Sequence, residues 1–159
     1  GDTRMIQWKR LLLCLAIPLA VGGVSAWLTQ GSMEEFAALN QPPLSPPGWV
    51  FPVVWTILFL MMGVASYLVC TSGAERSRVQ AALQSYALQL AFNFVWPLLF
   101  FRWGLYGVAF LWLIVLWVLI LVTLTRFYRI SKPAGWLLVP YALWVLFAVY
   151  LNLSIYLLN

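Results

Sequence analysis

Five long apolar stretches dominate this chain: Leu11–Leu28, Val50–Cys70, Val79–Phe101, Leu105–Phe127 and Trp136–Leu158. Each runs for about 18–23 residues, which at 1.5 Å rise per helical residue matches the ~30 Å hydrocarbon core of a bilayer. They lack the two-residue alternation of a barrel strand, so each is read as a helix that satisfies its own backbone in lipid. With 64% hydrophobic and 8% charged residues, the chain cannot clothe a water-soluble surface, which takes roughly a quarter of charged residues. The expectation is an all-α membrane protein, a single domain over residues 1–159 folded as a five-transmembrane-helix bundle. The first stretch is too long for the core of a signal peptide and shows no clear cleavage site, so it counts as a span.

The basic residues orient the bundle. Arg4, Lys9 and Arg10 precede the first span, Arg76 and Arg78 join the second to the third, and Arg126, Arg129 and Lys132 join the fourth to the fifth. Only Arg102 falls at the opposite end. This bias predicts a cytoplasmic N-terminus and an outer C-terminus. The net charge of +5 is therefore that of a membrane protein's inner face, not a nucleic-acid surface. Histidine is absent, which removes the commonest metal ligand and general base. Cys14 and Cys70 are too few and too far apart for a metal motif, and a reducing cytoplasmic face keeps them as free thiols. No metal site and no acid–base dyad is expected, so the chain reads more as a binding protein than as an enzyme.

The same orientation puts the longest connection, residues 29–49, on the outer face. It ends in a proline-rich run containing Pro42, Pro43, Pro46 and Pro47, followed by Pro52. Each proline fixes its own φ and holds the preceding residue extended, so the segment is stiff. Ser45-Pro46 has the form of a helix start, serine as cap and proline in the first turn. A stiff outer loop is either a connector or a lid.

Polar residues within the spans indicate what a lid would cover. Gln89 and Asn93 share one face of the third span, and Asn152 lies in the fifth; Gln84 reads equally as a bond to a neighbouring helix or as a functional group. Counting from the outer ends of their spans, Asn93 lies roughly 12 Å deep, Asn152 about 9 Å and Trp55 about 8 Å, with Trp144 deeper. Trp8, Trp27, Trp49, Trp103 and Trp136 fall at span ends, as an aromatic belt requires; Trp112 and Trp117 are expected to face lipid. Trp55, Trp96 and Trp144 remain, and large rings beside a few amides suit a flat, mostly apolar ligand. Ala16 with Ala20, and Ala87 with Ala91, form small-residue faces for close helix contact, within the bundle or between subunits.

Three blocks of residues together resemble the translocator protein family (TspO/MBR), the tryptophan-rich sensory proteins or peripheral-type benzodiazepine receptors. The first contains Pro46-Pro47, Trp49, Phe51-Pro52, Trp55-Thr56, Leu58-Phe59 and Met62-Gly63. The second contains Gln89-Leu90, Asn93, Trp96 and Phe100-Phe101, and the third Pro140-Tyr141, Trp144, Phe147-Ala148 and Leu151-Asn152. The resemblance implies a five-helix bundle, commonly a homodimer, with a pocket beneath the first loop for porphyrin or haem-type tetrapyrroles and other flat hydrophobic ligands, and no required cofactor. Carried over by motif, the ligand-binding residues are Trp55, Asn93, Trp144 and Ala148, with Phe36, Pro47 and Trp96 beside them. The implied function is a membrane receptor or sensor; the alternatives are transport of such ligands and tryptophan-assisted photo-oxidative porphyrin breakdown. A basic chain without a targeting extension suits a bacterial inner membrane. Gln41-Pro42-Pro43-Leu44 stands where many members carry a Lys-Pro-x-Trp run. Neither Tyr150 nor Tyr156 is followed by the basic residue of the family's sterol-associated pattern, although Leu124, Tyr128 and Lys132 satisfy its loose form.

Overall fold

Unbroken runs of leucine, valine, alanine and aromatic residues leave the backbone no partner but itself, and the chain becomes helical almost throughout. The computed structural model describes residues 6–32 and 36–159. Arg4, which entered the charge reading, lies outside these described residues. Five long helices follow one another: α1 (Trp8–Thr29), α2 (Val50–Cys70), α3 (Arg76–Pro97), α4 (Tyr106–Ile130) and α5 (Lys132–Leu158). A short 3-10 turn, Gln30–Ser32, extends α1, and a π-helical turn, Leu98–Arg102, extends α3.

Five of the ten helix ends pass beyond the apolar stretches. The helix α3 begins at Arg76 rather than Val79, and α5 begins at Lys132 rather than Trp136. Apolarity marks the part of a helix that meets lipid, whereas its hydrogen bonding continues into the basic rim. Pro133 sits in the first turn of α5, where a missing N–H costs nothing. The same reasoning explains Pro52: α2 starts at Val50, so the proline occupies the first turn and does not bend the helix. Ser45 is no helix cap. Its hydroxyl donates to Gln41 Oε1 and its N–H to Pro42 O at 3.3 Å, closing a loop turn four residues ahead of α2.

Four of the helices, α1, α2, α4 and α5, are long and apolar enough to cross a membrane. By composition α3 falls short of that standard, because Arg76, Arg78, Gln80, Gln84, Gln89 and Asn93 dilute it. It is nonetheless an integral part of the bundle. Contacts run from α1 to α2, α2 to α5, α5 to α4, α4 to α3 and α3 back to α1, closing a ring. The core is packed by Met62, Leu113, Leu116, Ile120, Phe127, Leu138, Tyr141 and Val145, all essentially inaccessible. Leu12, Leu13, Ile17, Leu111, Val115, Leu143 and Leu146 point outward, as side chains facing lipid do.

Two close approaches set the helix spacing. A Cβ on Gly63 would lie 2.8 Å from Cys14 O and from Leu15 Cα, so α1 rests directly on α2 there. A Cβ on Gly135 would lie 2.5 Å from Tyr128 Cβ, which brings the start of α5 against α4. Trp112 and Trp117 do not simply face lipid. Their indole N–H groups donate to Phe92 O at 2.9 Å and Ala142 O at 3.1 Å, tying α4 to α3 and α5. The alanine pairs Ala16–Ala20 and Ala87–Ala91 lie on the outer surface rather than between helices of the ring. Cys14 and Cys70 are free and half-buried.

Candidate functional site

The helix α1 buries only Pro18, Ser25 and Thr29, and its loose seating near the loop end leaves space inside the ring. A cavity of about 880 Å³ opens there, between α1, α2, α3 and the 36–49 loop. That volume suits a large ligand, since drug-sized sites span roughly 300–1,000 Å³.

Each wall has a local cause. On α2, Trp55 stacks on Phe59 with centroids 5.6 Å apart, one turn below. On α3, Asn93 and Trp96 fall on the inward face, and the π-helical turn re-phases the chain so that Phe100 and Phe101 also turn inward. Trp96 stacks on Phe100 at 5.2 Å and meets Phe101 edge-on at 5.8 Å. From the loop, Phe36 is buried among Phe51, Phe100 and Phe101, with centroids 5.9, 5.8 and 5.1 Å away. This aromatic cluster anchors the loop over the cavity, and Pro47 lines the cavity from above.

The loop is also tied to the end of α5. Asn40 and Asn159 bond reciprocally, Asn40 N donating to Asn159 Oδ1 at 3.2 Å and Asn159 Nδ2 to Asn40 O at 3.1 Å. Tyr150 donates its hydroxyl hydrogen to Pro43 O at 2.8 Å. Leu44 adopts a φ of 71° and is 82% exposed, so its side chain stands away from the cavity.

The structure thus brings Phe36, Pro47, Trp55, Asn93 and Trp96 around one cavity. Trp144 and Ala148 lie elsewhere, against an adjoining void of about 20 Å³, room for about one water molecule. Phe36, Phe51, Trp55, Trp96 and Phe101 border both spaces, so a partition of rings separates them. Trp144 packs edge-on to Phe51 at 6.0 Å, and its Nε1 is buried without a hydrogen-bond partner among the described residues. Gln84 is exposed, whereas Gln89 is buried.

Sequence reasoning missed the contribution of α1. Gly22, Ser25, Ala26 and Thr29 line the cavity, and their spacing of three, four and seven residues is that of one helix face. Gly22 is required by its neighbour, since a Cβ there would sit 2.2 Å from the Phe59 ring. The signal was a stripe of small residues, weak in a helix as apolar as this one. The Ser25 and Thr29 hydroxyls are spent on backbone carbonyls of Phe94 and Ser25, at 3.2 and 3.0 Å. Asn93 is therefore the main polar feature the inner wall offers. The surface is suited to stacking a flat apolar molecule with one hydrogen bond at its edge.

The TspO/MBR family profile matches residues 14–158. The tryptophan-rich protein TspO of Chlorobaculum tepidum is 40% identical over 154 residues, covering 96% of this chain and 98% of that protein. The tryptophan-rich sensory protein of Cereibacter sphaeroides is 36% identical, covering 97% of this chain and 94% of its own. The translocator protein of Bos taurus is 34% identical over 138 residues, covering 86% and 82%.

Proposed function

Because the chain belongs to the TspO/MBR family, we propose that this integral membrane protein is a receptor or sensor for porphyrin-like tetrapyrroles and related flat hydrophobic ligands. The observation that carries the reading is the cavity of about 880 Å³ walled by Phe36, Trp55 and Trp96 with Asn93 among them. Trp55 and Trp96 supply faces for stacking, and Asn93 supplies one directional bond to a polar edge. The loop bearing Pro47 covers the site, held by Phe36 within and by Asn40 and Tyr150 at the rim. Trp144 and Ala148 join the site when the ring partition yields to a larger ligand.

In this reading residues 1–159 are one domain crossing the membrane five times. The basic rim faces the cytoplasm and the loop faces outward, in a bacterial inner membrane. The alanines of α3 that point away from the ring offer a close-packing face for a homodimer.

Titrating the purified protein in nanodiscs with a free-base porphyrin, while following tryptophan quenching, tests the site. Saturable quenching is expected, with Asn93→Ala weakening affinity about fivefold and Trp55→Leu about tenfold. Unchanged affinity in both variants would place the ligand elsewhere.

A further inference from the structure

Three buried polar side chains form a chain that ends at the cavity wall. Asn93 Nδ2 donates to the Tyr141 hydroxyl at 2.7 Å, and that hydroxyl donates to Gln89 Oε1 at 2.6 Å. Gln89 and Tyr141 are each 1% exposed, and Gln89 Nε2 has no partner among the described residues. Asn93 lines the cavity, and no described residue donates to its Oδ1. The amide atom that Tyr141 does not hold is the one offered to an occupant.

Such a chain has two self-consistent directions. A hydroxyl has one hydrogen to give, and a carboxamide can present either oxygen or nitrogen after a half-turn of its terminal bond. In the first direction Asn93 gives to Tyr141, Tyr141 gives to Gln89, and Asn93 Oδ1 faces the cavity as an acceptor. Turning both amides reverses every bond: Gln89 gives to Tyr141, Tyr141 gives to Asn93, and Asn93 Nδ2 faces the cavity as a donor. Turning only one amide fails. Either two oxygens compete for one hydrogen, or two nitrogens face the hydroxyl and its hydrogen has no acceptor. Both complete directions contain the same two bonds and strand one half of the Gln89 amide, so a ligand's own bond can select between them.

We infer that Tyr141 and Gln89 are specificity-determining positioning residues, a reversible relay through which Asn93 meets either an N–H or a carbonyl edge of a ligand. This rests on the cavity being the ligand site. A site so built accepts flat apolar molecules of either edge chemistry, where a fixed amide would reject one of them.

Two flat tricyclic probes of similar size separate the cases: carbazole, which only donates, and fluorenone, which only accepts. Both are titrated against protein in nanodiscs by tryptophan quenching, with partition into empty nanodiscs subtracted. Gln89→Leu leaves the Tyr141 hydroxyl one acceptor, Asn93 Oδ1, and so fixes Asn93 as a donor. Its carbazole affinity is expected to fall about fivefold relative to fluorenone, while the fluorenone carbonyl stretch keeps its hydrogen-bonded shift. Tyr141→Phe frees Asn93 to turn and is expected to restore the wild-type ratio. Should Gln89→Leu fail to fold, Gln89→Met removes the same acceptor at nearly equal length. A purely structural role would weaken both probes together and preserve their ratio, which would overturn the relay. If Asn93→Leu weakens both probes but Gln89→Leu preserves the ratio, only the relay fails. If neither probe saturates the wild type, or Asn93→Leu alters neither, the cavity reading fails and takes the relay with it.

Discussion

Asn152 shows how one side chain can hold three helices where water cannot help. It is fully buried; its Oδ1 accepts from Trp96 Nε1 at 3.0 Å and its Nδ2 donates to Tyr106 O at 2.8 Å. It therefore joins α5 to the inward tryptophan of α3 and to the first residue of α4. Asn152→Leu keeps the volume and removes both bonds, leaving the Trp96 indole N–H in an apolar wall. A loss of about 1–2 kcal/mol is expected, measured as resistance to unfolding by SDS, together with weaker porphyrin binding because Trp96 is no longer fixed. Trp144 supplies the contrast. Its Nε1 has no partner among the described residues, so Trp144→Phe breaks none of their hydrogen bonds, and stability should fall by less than about 1 kcal/mol. Equal losses in the two variants would mean that packing alone, not the Asn152 bridge, fixes this end of the bundle. The residues that sequence could read were those whose polarity is costly in lipid: Asn93, Gln89 and Asn152 stood out among apolar neighbours. The residue that directs Asn93 did not, because a tyrosine within a span has many apolar reasons to be there. Nor did sequence show that Trp144 lies behind a partition of rings, since depth along a helix fixes height but not which rings intervene.

At the scale of elements, the apolar runs located all five helices, while their ends were misplaced wherever hydrogen bonding continues past the apolar zone, as at Arg76 and Lys132. The π-helical turn at Leu98–Arg102 had no legible signal beyond Pro97, although it turns Phe100 and Phe101 inward. Helix spacing, by contrast, is written in single glycines. Gly135 admits no side chain, because a Cβ would lie 2.5 Å from Tyr128 Cβ and 2.7 Å from Tyr128 Cα. Gly135→Ala is expected to force α4 and α5 apart at a cost of about 1–3 kcal/mol. Gly23, on the outer face of α1, has nothing within 4 Å of its would-be Cβ, and Gly23→Ala should be neutral or stabilising by up to about 1 kcal/mol. Thermal melts followed by tryptophan emission would separate the two, and similar melting points would show that the α4–α5 contact can relax. The loop obeys different rules, being held at its rim by a few hydrogen bonds. Tyr150→Phe deletes the bond to Pro43 O, and combined with Asn159→Ala, which removes both bonds to the Asn40 backbone, it should speed porphyrin release about tenfold in stopped-flow quenching. Unchanged release would mean that the Phe36 cluster alone keeps the loop shut.

Over the whole molecule, one end of the bundle is basic and the other carries the cavity and its loop. The basic end also holds helices together. Arg78 donates to Arg129 O at 2.9 Å and Arg126 donates to Ala81 O at 2.8 Å, so guanidinium groups cross-link α3 and α4 where α4 ends. A cation near a helix C-terminus also meets the negative pole of its dipole. At the far end Arg102 reaches Leu28 O at 3.4 Å. Such a division of charge should hold the basic rim in the cytoplasm, and that places the cavity mouth outside. Leu44 projects from the loop and Ser77 lies exposed in the first turn of α3, so Leu44→Cys and Ser77→Cys report on opposite ends, in a background with Cys14 and Cys70 changed to alanine. An impermeant maleimide added to spheroplasts should label Leu44→Cys and spare Ser77→Cys, with the pattern reversed in inverted vesicles. Labelling of Ser77→Cys from outside would turn the bundle over. The loop would then cover a cytoplasmic site, and its ligand would have to come from within the cell.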